Sequence, residues 1–120
     1  MRALTGWFHA IATGDTAAIR MHVSPHFGVF SAGSNGKPEP FFRAETIIEL
    51  QAYVLRRARA HEQLQWHSVQ FNGWHGTMLW FGPIFYTRRA DDVAGGAHEW
   101  IGKGVYDCQK GLHILNTAPM

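Results

Sequence analysis

Cysteine is almost missing from this chain: Cys108 is the only one in 120 residues. A lone thiol cannot close an internal disulfide, so the fold must stand without covalent staples, and a reducing, cytoplasmic setting is expected. Charge is sparse as well. Asp, Glu, Lys and Arg together make up 17% of the residues, and the formal net charge is +2, too little for a protein that works by neutralising phosphates. The basic clusters are Arg56, Arg57 and Arg59 with Arg88 and Arg89. Glu45, Glu49 and Glu62 lie near the first of them, as on a solvated mixed-charge helix face. No apolar run approaches the roughly 18 residues of a membrane span. Neither nucleic acid nor membrane is expected as a partner. The histidines form no metal-ligand pattern: His22 and His26 are four apart, but Ser24-Pro25 breaks the helix that would align them, and His-Glu-x-x-His is absent. No metal and no cofactor are expected.

What the chain does have is apolar mass. Hydrophobic residues make up 46% of it and aromatic ones 13%, including five Trp and eight Phe, enough for one domain over residues 1–120 with a genuine core. Rings in such number also suit the wall of a concave ligand site. Leu4, Trp7, Phe8 and Ile11 fall at i, i+3, i+4 and i+7, which predicts a folded amphipathic helix and not a signal peptide, although Ala10-Ile11-Ala12 resembles a cleavage site. Gly14 ends that helix, Asp15 can cap a second short one, and a strand is expected over residues 27–31. The Gly- and Pro-rich stretch 32–40 reads as a loop edging a pocket. A long helix is predicted over residues 43–60, with Ile47, Leu50, Val54 and Ala58 on its apolar face. Residues 64–71, 77–88, 97–108 and 112–117 read as successive strands. Asn72-Gly73 and Lys110-Gly111 serve as hairpin turns and residues 91–96 as the middle loop. Short links predict an antiparallel meander. Gly82-Pro83 and the pair Gly102 and Gly104 predict that it curls, or that another backbone approaches closely there.

Helix, helix, strand, helix and four antiparallel strands resemble the nuclear transport factor 2-like superfamily, in particular its SnoaL-like members. The likeness is carried by residues 7–15 (WFHAIATGD), 27–31 (FGVFS), 69–73 (VQFNG), Gly102-Lys103-Gly104 and Asp107-Cys108. It implies an α+β fold in which a cone-shaped, curved antiparallel β-sheet wraps around N-terminal helices, a cystatin-like α+β barrel. It also implies a homodimer paired through the outer face of the sheet. The superfamily includes isomerases, dehydratases, cyclases and epoxide hydrolases beside non-catalytic modules, and fold does not choose among them. Where its steroid isomerases carry an acidic tyrosine this chain has Trp7, and where they carry a basic aspartate it has Ser31, so that chemistry in its usual form is not expected. The Asp-Arg-Asp set of its epoxide hydrolases has a literal echo in residues 88–92 (RRADD), at a strand end and loop.

Two functions follow as expectations. One is a small-molecule-binding domain with an apolar aromatic pocket, a cofactor-independent isomerase, dehydratase or cyclase working by acid–base chemistry. Ser31, His67 and Lys103 are its candidate catalytic residues, and Trp7, Phe30, Tyr53, Trp66, Trp80, Trp100 and Tyr106 its candidate ligand-binding residues for a small apolar molecule. The other is a non-catalytic ligand-binding or dimerisation module on the same scaffold. Glu99, Lys103 and Asp107 share one strand face by the period of two. They make either an acid–base set in the cone or a charged ladder outside it, while His98, Trp100, Gly102, Gly104, Tyr106 and Cys108 take the opposite face. Cys108 itself reads as a small apolar group on a core strand.

Overall fold

A computed structural model describes residues 2–33, 42–93 and 95–120. Helices α1 (Arg2–Thr13) and α2 (Ala17–His22) come first, followed by strands β1 (Val29–Ala32) and β2 (Phe42–Ala44) and helix α3 (Ile47–Arg59). The long strands β3 (Gln63–His75), β4 (Met78–Arg89), β5 (His98–Asp107) and β6 (Gly111–Pro119) complete the chain. The strands form one six-stranded sheet in the order β2-β1-β6-β5-β4-β3. β3 to β6 are the antiparallel meander that their short links predict. β1 joins β6 in parallel and carries β2 on its outer side, antiparallel. The result is an α+β cone, a curved and mostly antiparallel open sheet closed on one face by the helices.

The N-terminal helices follow from local chemistry. Leu4, Trp7, Phe8 and Ile11 are buried on one face of α1. Gly14 ends the helix at φ +75° and donates its N–H to Ala10 O at 2.8 Å. The Asp15 carboxylate accepts from the N–H groups of Ala17 and Ala18, capping α2 as expected. Gly6 lets α2 lie against α1, since a Cβ there would stand 2.2 Å from the His22 ring. Helix α3 starts later than the expected residue 43, because residues 42–44 form β2. Thr46 caps it by accepting from Glu49 N–H at 3.2 Å, while Glu49 reaches back to Glu45 N–H at 3.1 Å. Its buried stripe is Leu50, Tyr53, Val54 and Arg57.

Two turns differ from expectation. β3 runs through Asn72-Gly73 and turns at Gly76-Thr77, where Gly76 adopts φ +63°. Three register shifts along β3 absorb the extra residues, one of them between Phe71 and Gly73, so the Asn-Gly pair marks a bulge instead of a hairpin. The β5–β6 turn spans residues 108–110, which puts Cys108 on an exposed turn and not on a core strand. The glycines of β5 meet expectation. A Cβ on Gly104 would fall 2.2 Å from Ile114 O and 2.7 Å from the Phe81 ring. Trp100, Gly102 and Gly104 are buried while Glu99 and Lys103 are exposed. The neighbouring irregularity falls in β6, where a shift at His113 lets Leu112 and Leu115 both reach the core.

Candidate functional site

Aromatic rings meet where the helices plug the cone. Trp7 sits edge-on to Phe30 with centroids 5.0 Å apart, and Phe42 stacks on Tyr53 at 3.6 Å. With Phe8, Ile11, Leu64, Tyr86 and Leu115 they surround a cavity of about 20 Å³, room for one water-sized molecule. Into this apolar wall the fold inserts Glu62, Arg88 and Thr117.

Glu62 arrives there because the chain reverses sharply between α3 and β3. His61 takes the left-handed conformation at φ +54°, uncommon for a residue with a side chain, and Glu62 N–H donates back to Arg57 O at 3.1 Å. The Glu62 side chain is 1% exposed. Its Oε1 accepts from Arg88 Nε at 2.5 Å and from Arg57 Nε at 3.3 Å. Its Oε2 is buried with no hydrogen-bond partner among the described residues. Arg57 turns its two terminal nitrogens to Asp92, at 2.8 and 2.7 Å, and the Arg88 guanidinium lies 4.4 Å above the Trp100 ring.

Burial pushes the Glu62 carboxyl above its usual range, against the opposing pull of Arg88 and Arg57. Asp92 is held below its usual range by the Arg57 hydrogen bond, burial acting weakly the other way. Burial disfavours the charge on Arg57, but the Asp92 and Glu62 carboxylates outweigh it and the guanidinium keeps its proton more tightly than usual. Burial also raises both tyrosines, Tyr86 against a hydrogen bond with Thr117. Tyr53 and Tyr86 therefore stay protonated. A carboxyl with one oxygen uncommitted, in surroundings of low dielectric, is suited to give or take a proton. No three His, Cys, Asp or Glu side chains converge on a common point among the described residues.

The sequence-predicted residues divide between two faces. Trp7, Phe30 and Tyr53 line the cavity. Trp66 is half-buried with its ring 5.2 Å from Phe8, Trp100 lies beneath Arg88, and Tyr106 packs partly against the core. Trp80 is 49% exposed and meets His75 edge-on. Ser31 donates its hydroxyl to Asn116 Oδ1 at 2.7 Å. Ser31 and Lys103 both border a groove of about 660 Å³ whose other walls include Asn72, Pro83, Ile101 and Asn116. His67 touches the Thr87 hydroxyl and stands 3.7 Å from Glu99 Oε2. Ser31 also lines the cone cavity, whereas His67 and Lys103 do not, so the three do not converge there. Asp107, on the same strand as Glu99 and Lys103, is buried and accepts from Gln109 N–H across the β5–β6 turn. In the 88–92 stretch, Asp91 pairs with His61 and Asp92 with Arg57.

Sequence reasoning missed Glu62, Arg57, Arg88 and Tyr86. One signal was readable: the stripe Leu50, Tyr53, Val54 continues at position 57, so Arg57 stands on the buried face of α3. Nothing local marks Glu62.

No family model matches the chain, and no curated protein matches its sequence. Solved structures do match in shape. A candidate dehydratase of the NTF2-like family from Streptomyces avermitilis superimposes with a TM-score of 0.69 at 17% identity, covering 98% of this chain and 91% of that one. A candidate isomerase of the SnoaL-like family from Agrobacterium tumefaciens gives 0.66 at 9% identity, over 99% and 95%. A candidate calcium/calmodulin-dependent protein kinase II association domain from Xanthomonas campestris gives 0.67 at 12%, over 98% and 82%. At such identities the likeness is one of fold: this chain has the NTF2-like, SnoaL-like fold.

Proposed function

We propose that the cone is a small-molecule site in which Glu62 transfers protons, the chemistry of a cofactor-independent isomerase, dehydratase or cyclase. One observation carries this reading: Glu62 lines the ring-lined cavity, and its buried Oε2 has no hydrogen-bond partner among the described residues. Glu62 lines the same cavity as Ser31, one of the three residues first considered for this role with His67 and Lys103. Trp7, Phe30 and Tyr53 would grip an apolar ring, while the Tyr53 and Tyr86 hydroxyls would donate to a carbonyl or enolate oxygen. Ligand entry requires a side chain to move, because about 20 Å³ holds no more than a water. A flat ketone with acidic α-hydrogens, 2-tetralone in D2O followed by NMR, tests this. The wild type should speed deuterium uptake and Glu62→Gln should abolish the gain. No gain with the wild type, or an equal gain with the variant, would retire the proposal.

The same small volume favours the second reading, a non-catalytic module, and the other face of the sheet supplies its interface. We propose that a second copy covers that face. Glu99, Ile101 and Lys103 run along the outer side of β5, with exposed or half-buried side chains beside the groove. A two-fold axis through Ile101 would set each Glu99 against the partner's Lys103, a self-complementary pattern. Sedimentation at micromolar concentration should show a dimer. Lys103→Glu and Glu99→Lys should each weaken it, and the double exchange should restore it. A strict monomer would rule it out. The single exposed thiol of Cys108 accords with a cytoplasmic location, and no helix among the described residues is long and apolar enough to cross a membrane.

A further inference from the structure

The buried carboxylate is wired to the surface. Arg57 has three nitrogens and two acidic partners: both terminal nitrogens go to Asp92, and only Nε, at 3.3 Å, is left for Glu62. Asp92 is itself 45% exposed, on the turn between β4 and β5. That turn is tied to the α3–β3 reversal by Asp91 N–H to Ala60 O at 2.8 Å and by the His61–Asp91 contact at 2.6 Å. Among the described residues, the charged and titratable groups that act on Glu62 or its partners can be placed. Arg57 and Tyr53 come from α3, Arg88 and Tyr86 from β4, and Asp92 stands behind Arg57.

We propose that Asp92 is the positioning residue of the buried site. By engaging the fork of Arg57 it limits that residue to one long contact with Glu62, through Oε1, and Oε2 keeps no partner among the described residues. If Asp92 loses its charge, the whole positive charge of Arg57 becomes available to Glu62, and the like charge behind it disappears. Both changes favour the carboxylate over the carboxylic acid. The proton chemistry of a buried group is thereby set from a surface loop, where a cation or a basic partner bound at Asp92 would alter it. The relevance to turnover rests on the proton-transfer reading above, but the wiring does not.

The test needs no ligand and no activity. In protein carrying carboxyl-13C glutamate, the Glu62 resonance is identified by its loss in Glu62→Gln and then titrated. Asp92→Asn should lower the apparent Glu62 pKa by about one pH unit, and Asp92→Ser should do the same by a different side chain. Asp92→Glu, which restores charge and fork, should return it toward the wild-type value. An Asp92→Asn protein that is folded by circular dichroism and titrates Glu62 like the wild type, or higher, would overturn the proposal. A wild type that shows this coupling yet exchanges no deuterium into 2-tetralone would retire the proton-transfer reading and leave the role of Asp92 standing.

Discussion

Two glutamates on opposite faces of the sheet each meet two polar side chains and have different fates. Glu62 meets Arg88 and Arg57 with 1% of its side chain exposed, and Glu99 meets His67 and Thr87 with 59% exposed. In water the outer contacts are screened and each is worth little. Inside the cone the same kind of attraction is stronger, yet it must first offset the desolvation of three charged groups. The same residue type, glutamate, therefore belongs to an adjustable surface on one side and to an obligatory network on the other. Only the inner network cannot spare a single member. The outer one can be rearranged, which is what an interface between copies requires.

The largest expected effect comes from breaking the inner network. Arg88→Ala leaves Glu62 with only the long Arg57 contact and removes the contact with Trp100, and should cost about 3–5 kcal/mol in urea unfolding. A loss under about 1 kcal/mol would erase the contrast between the faces. Gly104→Ala tests the inner wall without touching charge. Its Cβ would press on Ile114 O and Phe81, and a cost of about 1–3 kcal/mol is expected.

The contrast can be sharpened by pH. Glu62 is raised above its ordinary 4.5, so its protonation stabilises the native state. That contribution is full below 4.5 and is lost as pH rises through the folded-state value. Asp92 is lowered from 3.8, so its contribution is present above 3.8 and is lost as pH falls. The stability difference between wild type and Glu62→Gln should shrink with rising pH, and that between wild type and Asp92→Asn should grow. Parallel slopes in thermal unfolding would show that Glu62 titrates as a surface acid. The smallest effect belongs outside: Lys103→Ala, measured below the concentration for pairing, should change stability by less than about 0.5 kcal/mol.

Much of the frame was legible because it is written in short-range patterns. The i, i+3, i+4, i+7 spacing of Leu4, Trp7, Phe8 and Ile11, the Gly14-Asp15 punctuation, and the close approach at Gly104 all depend on neighbours in sequence or on the absence of a side chain. The errors arose where two local signals competed. Arg43 looked helical, and β2 exists only because β1 is there to pair with it; the Thr46 and Glu49 cap starts α3 after that strand. Asn72-Gly73 is a strong turn signal, but continued pairing with β4 out to Met78 outweighed it and made it a bulge. The face taken by Lys103 stayed open in the sequence, between the cone and a ladder outside it, and Ser31 borders both the cone cavity and the outer groove. Their strands alternate, and alternation cannot say which face the helices will cover.

By itself the sequence determined the element types, the curling meander and the ring-rich wall of the cone, since periodicity, turn residues and side-chain volume act over a few positions. Only the tertiary structure decided which acid matters. Glu62 lies 26 residues from Arg88 and 30 from Asp92, and its burial, its unpartnered oxygen and its altered proton affinity exist only once α3, β4 and the loop after it exclude water from the same small volume. Desolvation belongs to a place in the fold and not to a residue in a chain.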